Sequence, residues 1–147
     1  MRSKSGSQFY MNTDVVQSNQ STISPWLTVD DGEKAVAFYK AAFGAVETYR
    51  LQEPEAGVVV RLSVNGATFW VSSGSVPDDK KQEPLGGDSM RLILMVADPD
   101  GLFAQALKAG ATEIFPVGED HGWRLGRLVD PFGLHWEIGY ELESHNL

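Results

Sequence analysis

From Ile23 onward the chain switches repeatedly between a hydrophobic period of two and one of about three and a half. Leu27 and Val29 alternate with Trp26 and Thr28, which predicts a short strand with one aliphatic face and one face carrying Trp and Thr. Asp31 offers an N-cap, and Ala35, Val36, Phe38, Tyr39, Ala42 and Phe43 then recur at helical spacing until Gly44 supplies a stop. A strand is expected near 46–51 and a loop through 53–57. Val58 to Val64, the dipeptide Asn65-Gly66 and Ala67 to Ser72 follow as the clearest hairpin signal in the chain. Residues 73–89 hold Gly74, Pro77, Pro84, Gly86 and Gly87 without a period, and read as a linker. Beyond it, Leu92, Leu94 and Val96 alternate with Arg91, Ile93 and Met95. Asp98-Pro99 opens a helix striped by Leu102, Phe103, Ala106 and Leu107 and stopped at Gly110. A strand over 112–116 and a loop from Gly118 to Trp123 lead to a last hairpin, Arg127 to Ile138, turning at Asp130-Pro131-Phe132-Gly133.

The two halves repeat one another. Val29 corresponds to Val96, Asp31 to Asp98, Gly66 to Gly133 and Phe69 to Trp136, and the separation from Val29 to Phe69 equals that from Val96 to Trp136. Each half reads β-α-β-β-β and is too small to bury its own sheet. The expected fold is therefore α+β: two tandem βαβββ modules, about 23–72 and 90–142, forming a cupped, curled mixed sheet with the helices outside. Residues 1–22, rich in Ser, Asn and Gln, read as a flexible arm, and 23–147 as a single domain.

Composition narrows the function classes. With 147 residues the chain suits one ordinary domain. A net charge of -8 argues against nucleic acid or an anionic membrane as partner and leaves a cationic or neutral small ligand compatible. The absence of cysteine removes disulfides, thiolate metal sites and a Cys nucleophile. No apolar run has the length of a membrane span, and no signal peptide is evident after Met1, so a soluble, cytoplasmic protein is expected.

Strand parity points Glu137 away from its neighbours Trp136 and Ile138, into the expected cup. The same parity sends Trp26, Thr28, Trp70, Ser72, Arg91, Ile93, Met95 and His135 inward. Two tryptophans with an arginine and a carboxylate on one concave face make a small-ligand site of the ordinary kind, apolar walls with a few polar groups. Trp26 and Trp70 also suit the filling of a core or a dimer interface. Arg91 and Glu137 suit either a ligand anchor or an ion pair that braces the sheet. Arg61, Arg124 and Arg127 stand on or near the third strands, as anion anchors or surface salt bridges. His121, Gly122, Trp123 and Arg124 form a loop read as either a cover for the cup or a plain connection. No Ser or Cys is placed to make a triad with Asp120 and His121.

The pieces Leu-Thr-Val-Asp-Asp, Ala-Phe-Tyr-Lys-Ala-Ala-Phe-Gly-Ala and Gly-Arg-Leu-Val-Asp-Pro-Phe-Gly-Leu-His-Trp resemble the vicinal oxygen chelate superfamily, which includes glyoxalase I, fosfomycin and bleomycin resistance proteins and extradiol dioxygenases. They look most like its PhnB-like, or demethylubiquinone-methyltransferase-like, branch. The resemblance implies four metal-ligand positions, falling here on Ser24, Trp70, Arg91 and Glu137. Only Glu137 is a credible ligand, so neither a divalent metal nor another cofactor is expected. The implied function is metal-independent binding of a small aromatic or cationic molecule, with antibiotic or toxin sequestration as the concrete case. The candidate ligand-binding residues are Trp26, Thr28, Trp70, Ser72, Arg91, Met95, Trp123, Arg124, His135 and Glu137. A metal-dependent glyoxalase, lyase or thiol transferase using Glu137, with His135, and a non-catalytic interaction module remain open as alternatives. A homodimer is expected by the same resemblance.

Overall fold

A computed structural model describes residues 21–74 and 90–143. The expected arm lies almost wholly, and the expected linker largely, outside the described residues. The first module runs β1 (Trp26–Val29), α1 (Gly32–Phe43), β2 (Val46–Glu53), β3 (Gly57–Val64) and β4 (Ala67–Ser73). The second runs β5 (Leu92–Met95), α2 (Pro99–Ala109), β6 (Thr112–Asp120), β7 (Trp123–Val129) and β8 (His135–Glu141). The strands form two mixed four-stranded sheets, ordered β1-β4-β3-β2 and β5-β8-β7-β6, with β1–β4 and β5–β8 parallel. The α+β fold with two repeated modules is thus the one that the hydrophobic pattern predicts.

Local chemistry sets the element ends. Asp31 and Asp98 cap the helices through bonds from the Lys34 and Gly101 amides, and Gly44 closes α1 at a φ of 70°. β2 runs to Glu53, past the expected end near 51, and the largest departure lies between β6 and β7. The segment Gly118–Trp123 is no open loop: β6 extends to Asp120, and His121 and Gly122, at φ 52° and 85°, make a two-residue hairpin turn into β7. The right-handed twist of paired strands favours that turn, which sequence polarity alone hides.

Each sheet buries one face under its helix. Leu27, Val29, Val60, Leu62, Phe69 and Val71 lie on the strands that meet α1, Leu128, Trp136 and Ile138 on those that meet α2, and Leu94 is buried in the same core. The modules join on this helix side. The Trp136 ring lies 4.9 Å from Phe43, 5.4 Å from Phe69 and 5.7 Å from Tyr39, and Gln105 of α2 bonds the Ala41 and Ala42 carbonyls of α1.

A buried carboxylate holds this junction. Asp130 accepts from the Tyr39 hydroxyl at 2.6 Å and the Trp136 indole at 2.9 Å, and its other oxygen takes the Phe132 and Leu134 amides, both at 2.9 Å. Burial first, then the Asp130 charge, push the Tyr39 hydroxyl well above its ordinary pKa, so it remains a donor. Tyr39→Phe removes one bond to a buried charge and is expected to lower stability by about 1–2 kcal/mol, read as a shifted urea midpoint at constant slope.

Candidate functional site

The face of each sheet opposite its helix is open. On the first sheet β-pairing aligns Trp26, Trp70, Arg61 and Tyr49 across all four strands. The Trp26 and Trp70 rings stack at 5.7 Å with a 22° interplanar angle. Tyr49 meets Trp70 edge-on at 5.6 Å, and the Arg61 guanidinium carbon lies 5.4 Å from the Trp70 ring centre. The Trp26 indole donates to Ser72 Oγ at 3.0 Å, and Thr28 shares a 3.3 Å hydroxyl contact with Ser72. The predicted residues Trp26, Thr28, Trp70 and Ser72 therefore form one cluster.

The second sheet aligns Ile93, Glu137, Arg127 and Phe115 at the same level. Arg91 Nε binds Glu137 at 2.7 Å, with the carboxylate nearly buried and the arginine half-exposed. Arg127 Nε donates to His135 Nδ1 at 3.3 Å. Met95 lies on this face, half-exposed, and Trp123 stands at its end opposite Glu141. Arg124 does not join them. It faces the helix side and binds Asp100 with bonds of 2.9 and 2.6 Å, because the tight turn at His121 fixes its strand parity. Trp123 and Arg124 are strand residues, so they form no mobile cover.

The two open faces do not enclose one another within a chain. Trp26, Tyr49 and Leu51 on the first sheet, and Ile93, Met95 and Phe115 on the second, all remain substantially exposed. The seam between the modules holds a cleft of about 140 Å³, walled by Phe69, Leu92, Leu94 and Trp136 among others. That is below the usual volume of a drug-sized site.

The chain matches the glyoxalase-like domain family over residues 26–139. The chain belongs to that family. An uncharacterised Mycobacterium tuberculosis protein is 38% identical over 136 residues, covering 87% of this chain and 79% of the relative. An uncharacterised Arabidopsis thaliana protein is 30% identical over 112 residues, covering 69% and 67%. Among solved structures, TioX from Micromonospora sp. ML1 superposes with a TM-score of 0.64 at 24% identity, covering 84% of this chain and all of TioX. The fosfomycin resistance protein FosX of Listeria monocytogenes gives 0.64 at 14%, covering 82% and 91%. These two likenesses establish the vicinal oxygen chelate fold.

The residues at the four metal positions of this fold do not fit a divalent ion. Ser24 Oγ contacts Thr68 Oγ1 at 3.2 Å, Trp70 has no lone pair to give, and Arg91 puts a permanent cation against Glu137. Among the described residues no group of three or more His, Asp or Glu could hold a metal. What the sites offer is aromatic surface and guanidinium. Arg61 and Arg127 hold equivalent central places on the two sheets, and Tyr49 and Phe115 flank them. That correspondence escapes the sequence comparison because the stretch from the helix stop through the third strand, including Gly44 and Gly110, Tyr49 and Phe115, and Arg61 and Arg127, is offset by one residue from the rest of the repeat.

The Arg91–Glu137 pair gives a direct test of its bracing role. Arg91→Met is expected to destabilise by about 2 kcal/mol by leaving a nearly buried carboxylate without its cation, and adding Glu137→Gln to recover most of that loss. Denaturant titrations of the double-mutant cycle measure the recovery.

Proposed function

We propose that this protein binds a small molecule bearing a planar aromatic group against the open face of the first sheet, without a metal ion. The carrying observation is the Trp26–Trp70 stack, flanked by Tyr49 and backed by Arg61, on a face that no part of the described chain covers. The stacked indoles hold one another in place, and the half-exposed Trp26 offers a flat ligand apolar contact at little entropic cost. The ion pair at Arg91 and Glu137 supports a metal-free reading, since it occupies two positions from which a metal would be held. Among the described residues no nucleophile is paired with a base on either face, so binding rather than turnover is the proposed activity. A fosfomycin resistance protein shares the fold, which accords with sequestration of an antibiotic or toxin as the role.

The partner in this reading is a second copy of the chain. The open faces leave Trp26, Tyr49, Leu51, Ile93, Met95 and Phe115 exposed, the kind of apolar surface that a second chain covers. Laying the first sheet of one copy over the second sheet of the other covers both and encloses the ligand between them. Light scattering is expected to give twice the monomer mass, and Ile93→Glu to give a monomer. A wild-type monomer at micromolar concentration sinks the assembly.

Ligand binding is tested by titrating bleomycin-type and other aromatic antibiotics against the tryptophan emission, in the presence of a chelator. Saturable quenching is expected, and Trp26→Ala should weaken it about tenfold, the scale of one lost stacking contact. Binding that requires a divalent ion, or that ignores Trp26→Ala, rules the proposal out.

A further inference from the structure

The charges at the centre of the open faces run against the sign of the whole chain, whose net charge is -8. The described residues include Arg50, Arg61, Arg91, Arg124 and Arg127. Arg50 is clamped on the helix side by Glu33 and Glu47, Arg124 by Asp100, and Arg91 binds Glu137. Glu47 shows how strongly such pairing acts: bonds from Arg50 and then Lys40 hold its carboxyl down to about 2. Arg61 and Arg127 differ, for neither forms an ion pair among the described residues. Each is held through Nε alone, Arg61 by Thr48 Oγ1 at 2.8 Å and Arg127 by His135 Nδ1 at 3.3 Å.

The repeat makes this more than a stray surface charge. Arg61 sits opposite Trp70 and Arg127 opposite Glu137, at the same level of the third strand in each module. Both are only partly exposed, so each guanidinium has lost some of its water without gaining a carboxylate. A guanidinium fixed at Nε presents its terminal nitrogens in a planar fork, a geometry that matches a carboxylate or a similar oxyanion. Arg61 also lies in line with Trp70 and Trp26. A flat ligand laid along that row meets the edges of two indoles and a cation beside them.

We infer that the ligand is a planar aromatic anion, whose ring lies on the Trp26–Trp70 row and whose oxyanion is taken by Arg61, with Arg127 supplied from the facing sheet of the second copy. This rests on the reading of the open face as a small-molecule site, and it changes the ligand class from the cationic or neutral one that the chain's net charge suggests. The acidic exterior then repels anions in general, while the aromatic row selects those that carry a ring.

Isothermal titration with three matched probes tests it: 2-naphthoate, 2-naphthamide and 2-naphthylmethylammonium. Naphthoate is expected to bind at least tenfold more tightly than the other two, and to weaken as salt rises from 50 to 500 mM. Arg61→Gln and Arg127→Gln should each cut naphthoate affinity at least fivefold and cut naphthamide affinity by a clearly smaller factor, with an unchanged urea midpoint as the check that the variant is still folded; an equal loss for both probes overturns the inference. Equal binding of the three probes, lost on Trp26→Ala, overturns the anion inference and keeps the aromatic site. Preference for the ammonium overturns it too, and no binding by any probe overturns both.

Discussion

Asp130 occupies the position from which the rest of the molecule is aligned. Its carboxylate, buried where an unpaired charge would be costly, is satisfied by two side-chain donors and two turn amides. One of the donors, Tyr39, comes from the helix of the other module. The acidic turn thereby does two jobs at once. It fixes the geometry of the final hairpin, and it locks Trp136 against α1 on the helix side. Strand parity then leaves His135 and Glu137 no alternative but the open face. The placement of the candidate site is thus a consequence of how the junction between the modules is satisfied.

Within that frame the two open faces have taken up different chemistry. The first presents a row of aromatic rings with a guanidinium beside them. The second presents an ion pair, an Arg–His contact and aliphatic surface. A fold that elsewhere gathers metal ligands at these positions here gathers indole and arginine, and function follows the residues rather than the scaffold.

The fold was legible in the sequence because its signals are local. Period-two runs, two aspartate caps, glycine stops and the Asn-Gly turn each act over a few residues, and the repeat confirms their order. The open-face positions of Trp26, Thr28, Trp70, Ser72, Arg91, Met95, His135 and Glu137 followed from parity for the same reason. Arg124 lay outside that treatment, read as a loop residue that is either an anion anchor or a surface salt bridge; its side depends on where the β6–β7 turn falls, and a register set by two left-handed residues leaves only a weak trace in composition. The Asp130 junction was out of reach altogether. Tyr39 and Asp130 are brought together by tertiary packing, and no periodicity links a helix in one module to a turn in the next.

The shared aromatic core bears on how the chain emerges from the ribosome. The first sheet has all its strands once Ser73 is made, yet Phe43, Phe69 and Tyr39 then wait for Trp136 and Asp130, which are synthesised only near the end. Until then the half-built protein carries a sticky aromatic flank beside a finished sheet, the situation in which nascent chains associate wrongly or recruit chaperones. A lone first module expressed in isolation would keep that flank for its lifetime.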